Sequence, residues 1–510
     1  MLAKVQSASV VGVQAFRVEV EVDAGRGLPH FVIVGLPDTA VKESRDRVKS
    51  AIMNSGYVFQ DGRNTVNLAP ADLKKAGPSF DLPIALGMLH ASEQLNIKSF
   101  DDYLILGELA LNGTVRPVRG ILPVAHAAHR AKFKGLIVPE ANAPEAAVVE
   151  GLPVYGVKNL RHAADFLSGQ TQIQPCHVVL EDLFRHDHGP EDMDFADVKG
   201  QESVKRALEI AAAGGHNIIM IGPPGSGKSM LAKRIPSILP RMTLPEALET
   251  TKIHSVVGLL QHGEALVTAR PFRSPHHTIS DIGLIGGSAN PSPGEVSLAH
   301  NGVLFLDELP EFKRSALEVL RQPLEDGKVT ISRAAGTLTF PARFMLVAAM
   351  NPSPSGKSSD VQNGRVSAAA TQRYLSKISG PLLDRIDIHI EVAALKNEQL
   401  LGTSTGESST DIRLRVERGR EIQRQRFAGK KIWCNAQMGP KQIKEAVPLN
   451  EECRDLLKYA MNDMNLSARA YDRILKVART IADLADQPDV AVDHLGEAIQ
   501  FRSLDRQIWG

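Results

Sequence analysis

Residues 217–229 constrain the fold of this chain more than any other stretch. They read NIIMIGPPGSGKS, in which an apolar run from Ile218 to Ile221 precedes the pattern G-x-x-x-x-G-K-S/T from Gly222 to Ser229. The run predicts a strand that is buried on both faces, and the residues after it predict a helix. A glycine-rich loop at such a junction places backbone N–H groups and the positive end of the helix around an anion. The stretch therefore predicts a phosphate-binding loop.

Two side chains of the loop have specific expected roles. Lys228 would reach the β and γ phosphates of a nucleotide, and the Ser229 hydroxyl would bind Mg²⁺. The alternative is an ordinary Gly/Pro turn, which the flanking strand and helix disfavour. The residues expected to contact the nucleotide phosphates are Gly222, Pro223, Pro224, Gly225, Ser226, Gly227, Lys228 and Ser229.

A second apolar run ends in two carboxylates. VLFLDE at 303–308 predicts a buried strand followed by Asp307 and Glu308. At the carboxyl end of a parallel strand these side chains would face the phosphate loop. Asp307 would then hold Mg²⁺, and Glu308 would orient or deprotonate an attacking water. The alternative is a core strand with solvated charges at its end.

Length and composition limit the number of domains and the kinds of partner that this chain can have. A chain of 510 residues is too long for one core, so we expect three or four domains. The formal net charge of +1 means that any nucleic-acid contact must be local. Three widely spaced cysteines indicate a reducing compartment, with neither a disulfide framework nor a C-x-x-C metal site. No apolar run reaches membrane-spanning length, which predicts a cytoplasmic protein without a membrane partner.

The first 170 residues predict an α+β domain. Alternating residues at 10–23 and an apolar run at 31–36 indicate strands, and a helix is expected from the N-cap Asp38 to the C-cap Gly56. Residues 168–194 then lose their periodicity and gain polar residues, which indicates a linker at 171–193.

This domain resembles the proteolytic domain of the Lon family. The Gly-Pro-Ser run ending at Ser79 and the string GELALNGTVRPVRGILPVAHAAHRAKFKGLIVPEAN at 107–142 carry the resemblance. The Lon family uses a Ser-Lys dyad, and Ser79 stands at the position of its nucleophile. Val124 occupies the position of the lysine, and a serine without a base is a weak nucleophile. We therefore expect residues 1–170 to form an inactive Lon-like domain that makes contacts and is not a protease.

The middle of the chain resembles AAA+ ATPases. A D-V-K-G-Q turn around Val198 and Gly200 is similar to the turn that holds adenine in that family, which implies ATP as the cofactor together with Mg²⁺. Asn351, after the apolar run FMLVAAMN, matches the family's sensor asparagine; considered alone, it would be a turn former. Arg385 matches the arginine finger that is offered to a neighbouring subunit's ATP. Considered alone, it fits equally well a salt bridge with a nearby aspartate.

Two insertions point to one branch of that family. Residues 270–294 contain His276 and His277, for which we favour a structural role over metal binding because adjacent side chains are expected to diverge. Residues 328–342 predict a hairpin with a basic residue, Arg333, near its tip. Together the insertions resemble the magnesium-chelatase-like branch of AAA+ proteins, in which such hairpins line the central pore of a hexamer. We expect the ATPase core to span 194–395.

The last hundred residues predict helices. Residues 396–510 are expected to form an all-α lid, in which Ser467 is an N-cap and Arg469 matches the family's second sensor, with Arg473 as the fallback. An earlier helix at 412–427 is rich in arginine, which is typical of a solvated face, with contact to a phosphate backbone as the alternative. The predicted fold class is thus α/β, a parallel-sheet ATPase core flanked by an α+β domain and a helical lid.

The whole chain, from about Val5 to Arg502, resembles the ComM/YifB family. The strings RPFRSPHHTISDIGLIGGS, AHNGVLFLDELPEF and SGPLLDRIDIHIEV carry this resemblance. It implies a homohexameric, ATP-driven motor that moves single-stranded or branched DNA, a branch-migration helicase of natural transformation. In such a motor Lys328 and Arg333 of the predicted hairpin would be the DNA-binding residues. The alternatives are a chelatase-type motor that remodels a protein partner and an ATP-gated scaffold. One departure is that the family's cysteines after the sensor are absent, since NPSPSG stands at 351–356.

Overall fold

We describe the fold from a computed structural model. The described residues are 2–25, 27–73, 75, 77–185, 193–261, 263–287, 291–333, 336–354, 367–394, 406–430, 432–464 and 466–504. The chain divides into two compact units: Met1–His186 with Leu244–Thr268, and Asp187–Thr243 with Ala269–Gly510. We call them the N-terminal unit and the nucleotide unit.

The first 185 residues form a mixture of strands and helices. The strands are β1 (Leu2–Val11), β2 (Gln14–Gly25), β3 (His30–Val34), β4 (Arg63–Ala69), β5 (Tyr103–Ile105), β6 (Glu108–Leu109), β7 (Val115–Arg116), β8 (Gly135–Pro139) and β9 (Val154–Val157). The helices are α1 (Thr39–Lys42), α2 (Ser44–Asn54), α3 (Asp81–Ala91), α4 (Ile121–Arg130), α5 (Ala143–Ala147), α6 (Leu160–Leu167) and α7 (Leu180–Arg185), with 3₁₀ turns at Pro78–Phe80 and Glu140–Asn142.

Two sheets organise the N-terminal unit. The first has the order β1-β2-β4-β3, with β1, β2 and β4 antiparallel and β3 parallel to β4. The second is the parallel sheet β5-β8-β9. The predicted N-cap Asp38 is confirmed, since its carboxylate accepts from the Val41 N–H at 2.9 Å. The single helix predicted after it is instead two, because α1 ends at Lys42 and α2 begins at Ser44.

The rest of the chain builds the nucleotide unit around parallel strands. Its strands are β10 (Ile218–Ile221), β11 (Phe272–Arg273), β12 (Val303–Leu306), β13 (Lys328–Arg333), β14 (Gly336–Pro341), β15 (Met345–Met350) and β16 (Ile388–Glu391). The helices up to β16 are α8 (Glu202–Gly214), α9 (Lys228–Ile238), α10 (Leu244–Val257), α11 (Asp281–Ile285), α12 (Glu295–Leu298), α13 (Arg314–Glu318), α14 (Arg321–Asp326), α15 (Ala368–Leu375) and α16 (Gly380–Leu383). Turns of 3₁₀ helix lie at Phe195–Asp197, Leu309–Glu311 and Asn435–Gln437. Of these elements, α10 belongs to the N-terminal unit.

The main sheet has the order β11-β12-β15-β10-β16, and every pair in it is parallel. All residues of β10, β12 and β15 are buried, as expected for strands that are covered on both faces. The strands predicted at the phosphate loop, before Asp307 and before Asn351 are thus confirmed. Because parallel strands share one carboxyl edge, the three motifs that follow these strands meet there. The predicted α/β class with a parallel sheet is confirmed.

Helices follow the sheet. They are α17 (Ser409–Arg426), α18 (Pro440–Ala446), α19 (Glu451–Asp463), α20 (Ala468–Leu484) and α21 (Val492–Gln500). Ser467 caps α20 as predicted, accepting from the Ala470 N–H at 3.2 Å. Among the described residues, no helix is long and apolar enough to cross a membrane.

The arginines of α17 are occupied within the nucleotide unit. Arg420 is buried and donates to the carbonyls of Ala212 and Ala213, both at 2.9 Å. Arg426 pairs with Asp483, and Arg415 pairs with Glu209 and Glu407. These contacts attach α17 to α8 and α20. The expectation of a solvated face is therefore wrong for Arg415, Arg420 and Arg426, whereas Arg418 is exposed as predicted.

Asn217 connects three strands just before the phosphate loop. Its side chain accepts from the Leu346 N–H at 2.8 Å and donates to the Arg385 carbonyl at 2.9 Å. Its own N–H donates to the Asp387 carboxylate at 2.8 Å. Asp387 also pairs with Arg473 on α20 at 2.9 Å. This buried network fixes β10 against β15, β16 and the helical region.

We predict that Asn217→Ala destabilises the protein by about 2–4 kcal/mol, because it leaves a buried N–H and a buried carbonyl without their partners. Urea unfolding followed by circular dichroism measures the loss. Asn462→Ala, at an exposed position on α19, is the matched control and should change stability little. Equal stability of the two variants would contradict the role assigned to Asn217.

Candidate functional site

The phosphate loop connects β10 to α9, and its glycines are required by geometry. A Cβ atom on Gly222 would lie 2.2 Å from the Val392 carbonyl oxygen, which is closer than real Cβ atoms come. Gly225 and Gly227 have φ angles of 76° and 93°, in the left-handed region that favours glycine. Glycine is therefore required in this loop both because two backbone segments approach each other closely and because the loop must leave space for an anion.

Lys228 is the central cation of this edge. It is 7% exposed, and its Nζ donates to the carbonyls of Gly222 and Pro223 at 2.8 and 2.9 Å and to Asn351 Oδ1 at 3.2 Å. Burial lowers the pKa of the Lys228 ammonium group, while the neighbouring Asp307 and Glu308 carboxylates raise it. The side chain thus links the loop to the end of β15.

Ser229 and Asp307 form a pair of oxygen groups suited to Mg²⁺. The Ser229 hydroxyl donates to Asp307 Oδ2 at 2.6 Å. A hydroxyl and a carboxylate beside a phosphate-binding loop are ligands that Mg²⁺ accepts, and the ion keeps several waters in such sites. The donor set therefore fits the predicted cation.

Glu308 occupies a special backbone position. Its φ angle is 53°, which is rare for a residue with a side chain, and its side chain is 58% exposed. Its N–H donates to Asp307 Oδ1 at 3.0 Å, which holds the Asp307 carboxylate against the backbone. Backbone strain of this kind occurs at sites where a side chain must be presented to a ligand.

These groups surround one cavity. Its volume is about 350 Å³, and it is lined by Pro224, Gly225, Gly227, Lys228, Ser229, Asp307, Glu308, Met350 and Asn351. The structure thus brings together the residues predicted to bind phosphate and Mg²⁺, the predicted base and the predicted sensor asparagine. The predicted adenine-turn residues Val198 and Gly200 lie between a 3₁₀ turn and α8, outside this lining.

His277 is a neighbour of this site that the sequence argument missed. Its Nδ1 lies 3.7 Å from Glu308 Oε2. The expectation that His276 and His277 diverge is wrong, since their ring centroids are 4.1 Å apart. In the described part of the chain no group of three or more His, Cys, Asp or Glu side chains could hold a metal. The position of His277 after β11 was the available signal, because β11 ends at the same edge as β12.

The predicted arginines lie elsewhere in the nucleotide unit. Arg385 follows α16, is 6% exposed and pairs with Glu325, and not with either aspartate beside it in sequence. Arg469 is exposed at the start of α20. The fallback Arg473 is engaged by Asp387. Neither Arg385 nor Arg469 lines the phosphate-loop cavity.

The predicted hairpin is present as β13 and β14. Lys328 begins β13 and is exposed, and Arg333 ends it, paired in register with Gly336. One face carries cross-strand hydroxyl pairs, Thr330 with Thr339 at 3.2 Å and Ser332 with Thr337 at 3.1 Å. Residues 334–335 and residues 355–366 lie outside the described residues. Of the two positions in NPSPSG where the family has cysteine, Ser353 is described and buried, whereas Ser355 is not described.

The parallel sheet, with a phosphate loop and two carboxylates at its carboxyl edge, is typical of P-loop nucleotide-binding proteins. The sequence matches three protein families, described as "Magnesium chelatase, subunit ChlI" over residues 194–400, "Subunit ChlI of Mg-chelatase" over 20–142 and "Magnesium chelatase, subunit ChlI C-terminal" over 406–502. Together the matches cover most of the chain.

Curated relatives narrow the assignment. The chain is 46% identical to competence protein ComM of Haemophilus influenzae, over 99% of this chain and 98% of that protein. It is 44% identical to the uncharacterized protein YifB of Escherichia coli, with the same coverage of both chains. The chain therefore belongs to the ComM/YifB family. A more distant similarity, 27% identity over 40% of this chain and 27% of the relative, links it to the DNA replication licensing factor mcm7 of Schizosaccharomyces pombe.

We predict that Gly222→Ala weakens nucleotide binding at least ten-fold, because the new methyl group forces the loop away from the Val392 carbonyl. Titration with a fluorescent ATP analogue measures the change. Gly380→Ala is the matched control, because a Cβ atom there meets nothing within 4 Å. Unchanged affinity in Gly222→Ala would show that the loop has another geometry.

Proposed function

We propose that this protein hydrolyses ATP to drive movement along DNA, as a branch-migration motor in recombination during natural transformation. The observation that carries the proposal is the meeting of Lys228, the Ser229–Asp307 pair, Glu308 and Asn351 in one cavity at the carboxyl edge of the sheet. A phosphate cradle, a magnesium pair and an adjacent carboxylate are the groups that nucleotide hydrolysis requires.

The chemistry follows from these positions. The loop N–H groups and Lys228 bind the β and γ phosphates of ATP, and bound Mg²⁺ would neutralise phosphate charge beside Ser229 and Asp307. Glu308 accepts a proton from a water that attacks the γ phosphorus, and the bond between that phosphorus and the β-phosphate oxygen breaks. Asn351 helps to place the water. The products are ADP and phosphate.

In the same proposal, His277 positions the side chain of Glu308. Its Nδ1 contacts the Glu308 carboxylate, and the edge of Phe312 lies near its ring, with centroids 6.4 Å apart. Because the Glu308 side chain is otherwise exposed, a neighbour is needed to fix its direction. We assign this task to His277.

The working form in this proposal is a homohexameric ring. One chain supplies the phosphate loop and the carboxylates, whereas Arg385 and Arg469 lie outside the cavity that these groups form. A second chain would supply the missing cations, as an arginine finger does in trans. Closed rings arise when the same head-to-tail contact repeats until it closes.

DNA is proposed as the cargo for two reasons. The most extensive similarity described above is to a competence protein, and the more distant one is to a DNA replication licensing factor. The β13–β14 hairpin adds an exposed lysine, an arginine and a hydroxyl-bearing face, which suit contacts to phosphate oxygens. Lys328 and Arg333 are the proposed DNA contacts.

The flanking regions take supporting roles in this proposal. Residues 1–170 form a Lon-like domain without protease activity, because Val124 is buried in α4 where a base would be required. Residues 396–510 form the lid. Residues 194–395 form the ATPase core, except that residues 244–268 fold with the N-terminal unit. Residues 171–193 link the first domain to the core.

Glu308→Gln should keep nucleotide binding and lower ATP turnover by about 10²–10⁴-fold, because the amide cannot accept the proton of the attacking water. Binding titrations and steady-state phosphate release separate the two effects. Glu311→Gln, three residues further along, is the matched control. Loss of binding in Glu308→Gln would mean that Glu308 is not the base.

Arg333→Ala should reduce the stimulation of ATP hydrolysis by forked DNA while leaving the rate without DNA unchanged, since no described hairpin residue lines the phosphate-loop cavity. A single lost phosphate contact should also lower the slope of log affinity against log salt by about 0.7–0.9. Arg454→Ala, at an exposed site on α19, serves as the control.

The same assay decides among the competing functions. If neither single-stranded nor forked DNA binds or stimulates hydrolysis, the DNA-motor proposal fails. Stimulation by a protein partner alone would favour a chelatase-type remodelling motor. The match to the magnesium-chelatase family supports this alternative. Hydrolysis that nothing stimulates would favour an ATP-gated scaffold.

A further inference from the structure

A second cavity of the nucleotide unit lies beside Arg385. Its volume is about 430 Å³, and α14, the start of β13 and Arg385 supply most of its lining. It is a separate space from the phosphate-loop cavity, because the two share no lining residue. Nothing in the assignments above accounts for it.

Arg385 is a buried cation of this second cavity, and not all of its N–H donors have a hydrogen-bond partner. One terminal nitrogen donates to Glu325 and the other donates to the Pro381 carbonyl at 2.6 Å. Its Nε is buried and has no hydrogen-bond partner among the described residues. A guanidinium group offers five donors in one plane, and buried donors without partners are costly. An anion in the cavity would supply acceptors that the chain itself does not.

Glu325 is the group that stands in the way of such an anion. Its side chain is 59% exposed, whereas that of Arg385 is 7% exposed. The Arg385 guanidinium, and more weakly Arg469, lower the pKa of the Glu325 carboxyl group, so both arginines predicted for the nucleotide site act on this one carboxylate. An exposed carboxylate on a short helix can turn towards solvent, while a buried arginine cannot.

The charge of the cavity makes the release of Glu325 necessary. Three carboxylates, on Glu318, Glu325 and Asp326, and two guanidinium groups, on Arg321 and Arg385, line it, which gives a formal charge of −1. Glu318 is paired with Arg321 at 2.9 Å. A phosphate is therefore repelled while Glu325 holds Arg385. Once that carboxylate has turned away, the formal charge rises to 0 and the Arg385 guanidinium group is left to pair with the phosphate.

We propose that Glu325 is an internal counter-ion that holds Arg385 in the separate chain, and that a second copy of this chain replaces it with the terminal phosphate of its bound nucleotide. The proposal rests on the proposed ATP-binding function. Glu325 acts through Arg385 and is a positioning residue. Assembly then depends on nucleotide, because only a phosphate-bearing neighbour offers an anion that can displace the carboxylate.

The test measures self-association by sedimentation velocity in Mg²⁺ with the non-hydrolysable analogue adenylyl imidodiphosphate. Glu325→Gln should assemble at a protein concentration up to about five-fold lower than the unmodified chain, the range expected for a partly exposed ion pair. Asp326→Asn is the matched control, because it removes the same charge from the cavity while leaving the pair between Glu325 and Arg385 intact. It should gain clearly less than Glu325→Gln. Without nucleotide, Glu325→Gln should behave like the unmodified chain.

A double-mutant cycle separates a role through Arg385 from a general effect of charge. In an Arg385→Ala background, Glu325→Gln should have no effect on assembly. Equal or weaker assembly of Glu325→Gln in the unmodified background, or a similar gain in the Arg385→Ala background, would overturn the proposal. Thermal unfolding confirms that each variant is folded.

The outcome also distinguishes this inference from the proposed function. Binding of the analogue is measured separately on dilute protein by fluorescence titration. If the unmodified chain does not bind the analogue, both proposals fail. If it binds the analogue and assembles, but Glu325→Gln assembles at the same concentration, only the counter-ion role is overturned.

Discussion

The contacts of the buried Lys228 ammonium group are the interaction on which the nucleotide site depends. Its hydrogen bonds join the first residues of the loop to Asn351 at the end of β15, and Asp307 and Glu308 follow the neighbouring strand β12. A cation that has lost most of its hydration requires carbonyls and anions close by. The parallel sheet supplies them, because its strands deliver their polar ends to one edge.

Much of this site could be predicted because each part is encoded locally. The apolar runs before Gly222, Asp307 and Asn351 each predict a buried strand, and the shared edge of parallel strands predicts that the residues after them meet. The resemblance to a known family predicted a role for Arg385 but not its surroundings. Its partner Glu325 lies 60 positions away in sequence, so only tertiary packing brings the two together.

Other features could not be predicted from the sequence, because they too depend on tertiary packing. The arginines of α17 look solvated in sequence, yet α8 and α20 bring carbonyls and carboxylates to them. His277 belongs to an insertion without a clear period, and its contact with Glu308 depends on β11 lying beside β12. The helix α10 follows α9 in the chain but folds with the N-terminal unit, which no local pattern indicates.

The separation of the phosphate-loop cavity from Arg385 leads to the central claim, that two chains complete one ATP site. Mixing Lys228→Ala protein with Arg385→Ala protein tests it most directly. Each variant alone should be inactive, while random mixing makes about one interface in four competent, with an intact loop from one chain and an intact arginine from the other. ATPase activity that returns on mixing is the predicted result. Mixed assemblies that form and stay inactive would contradict the claim.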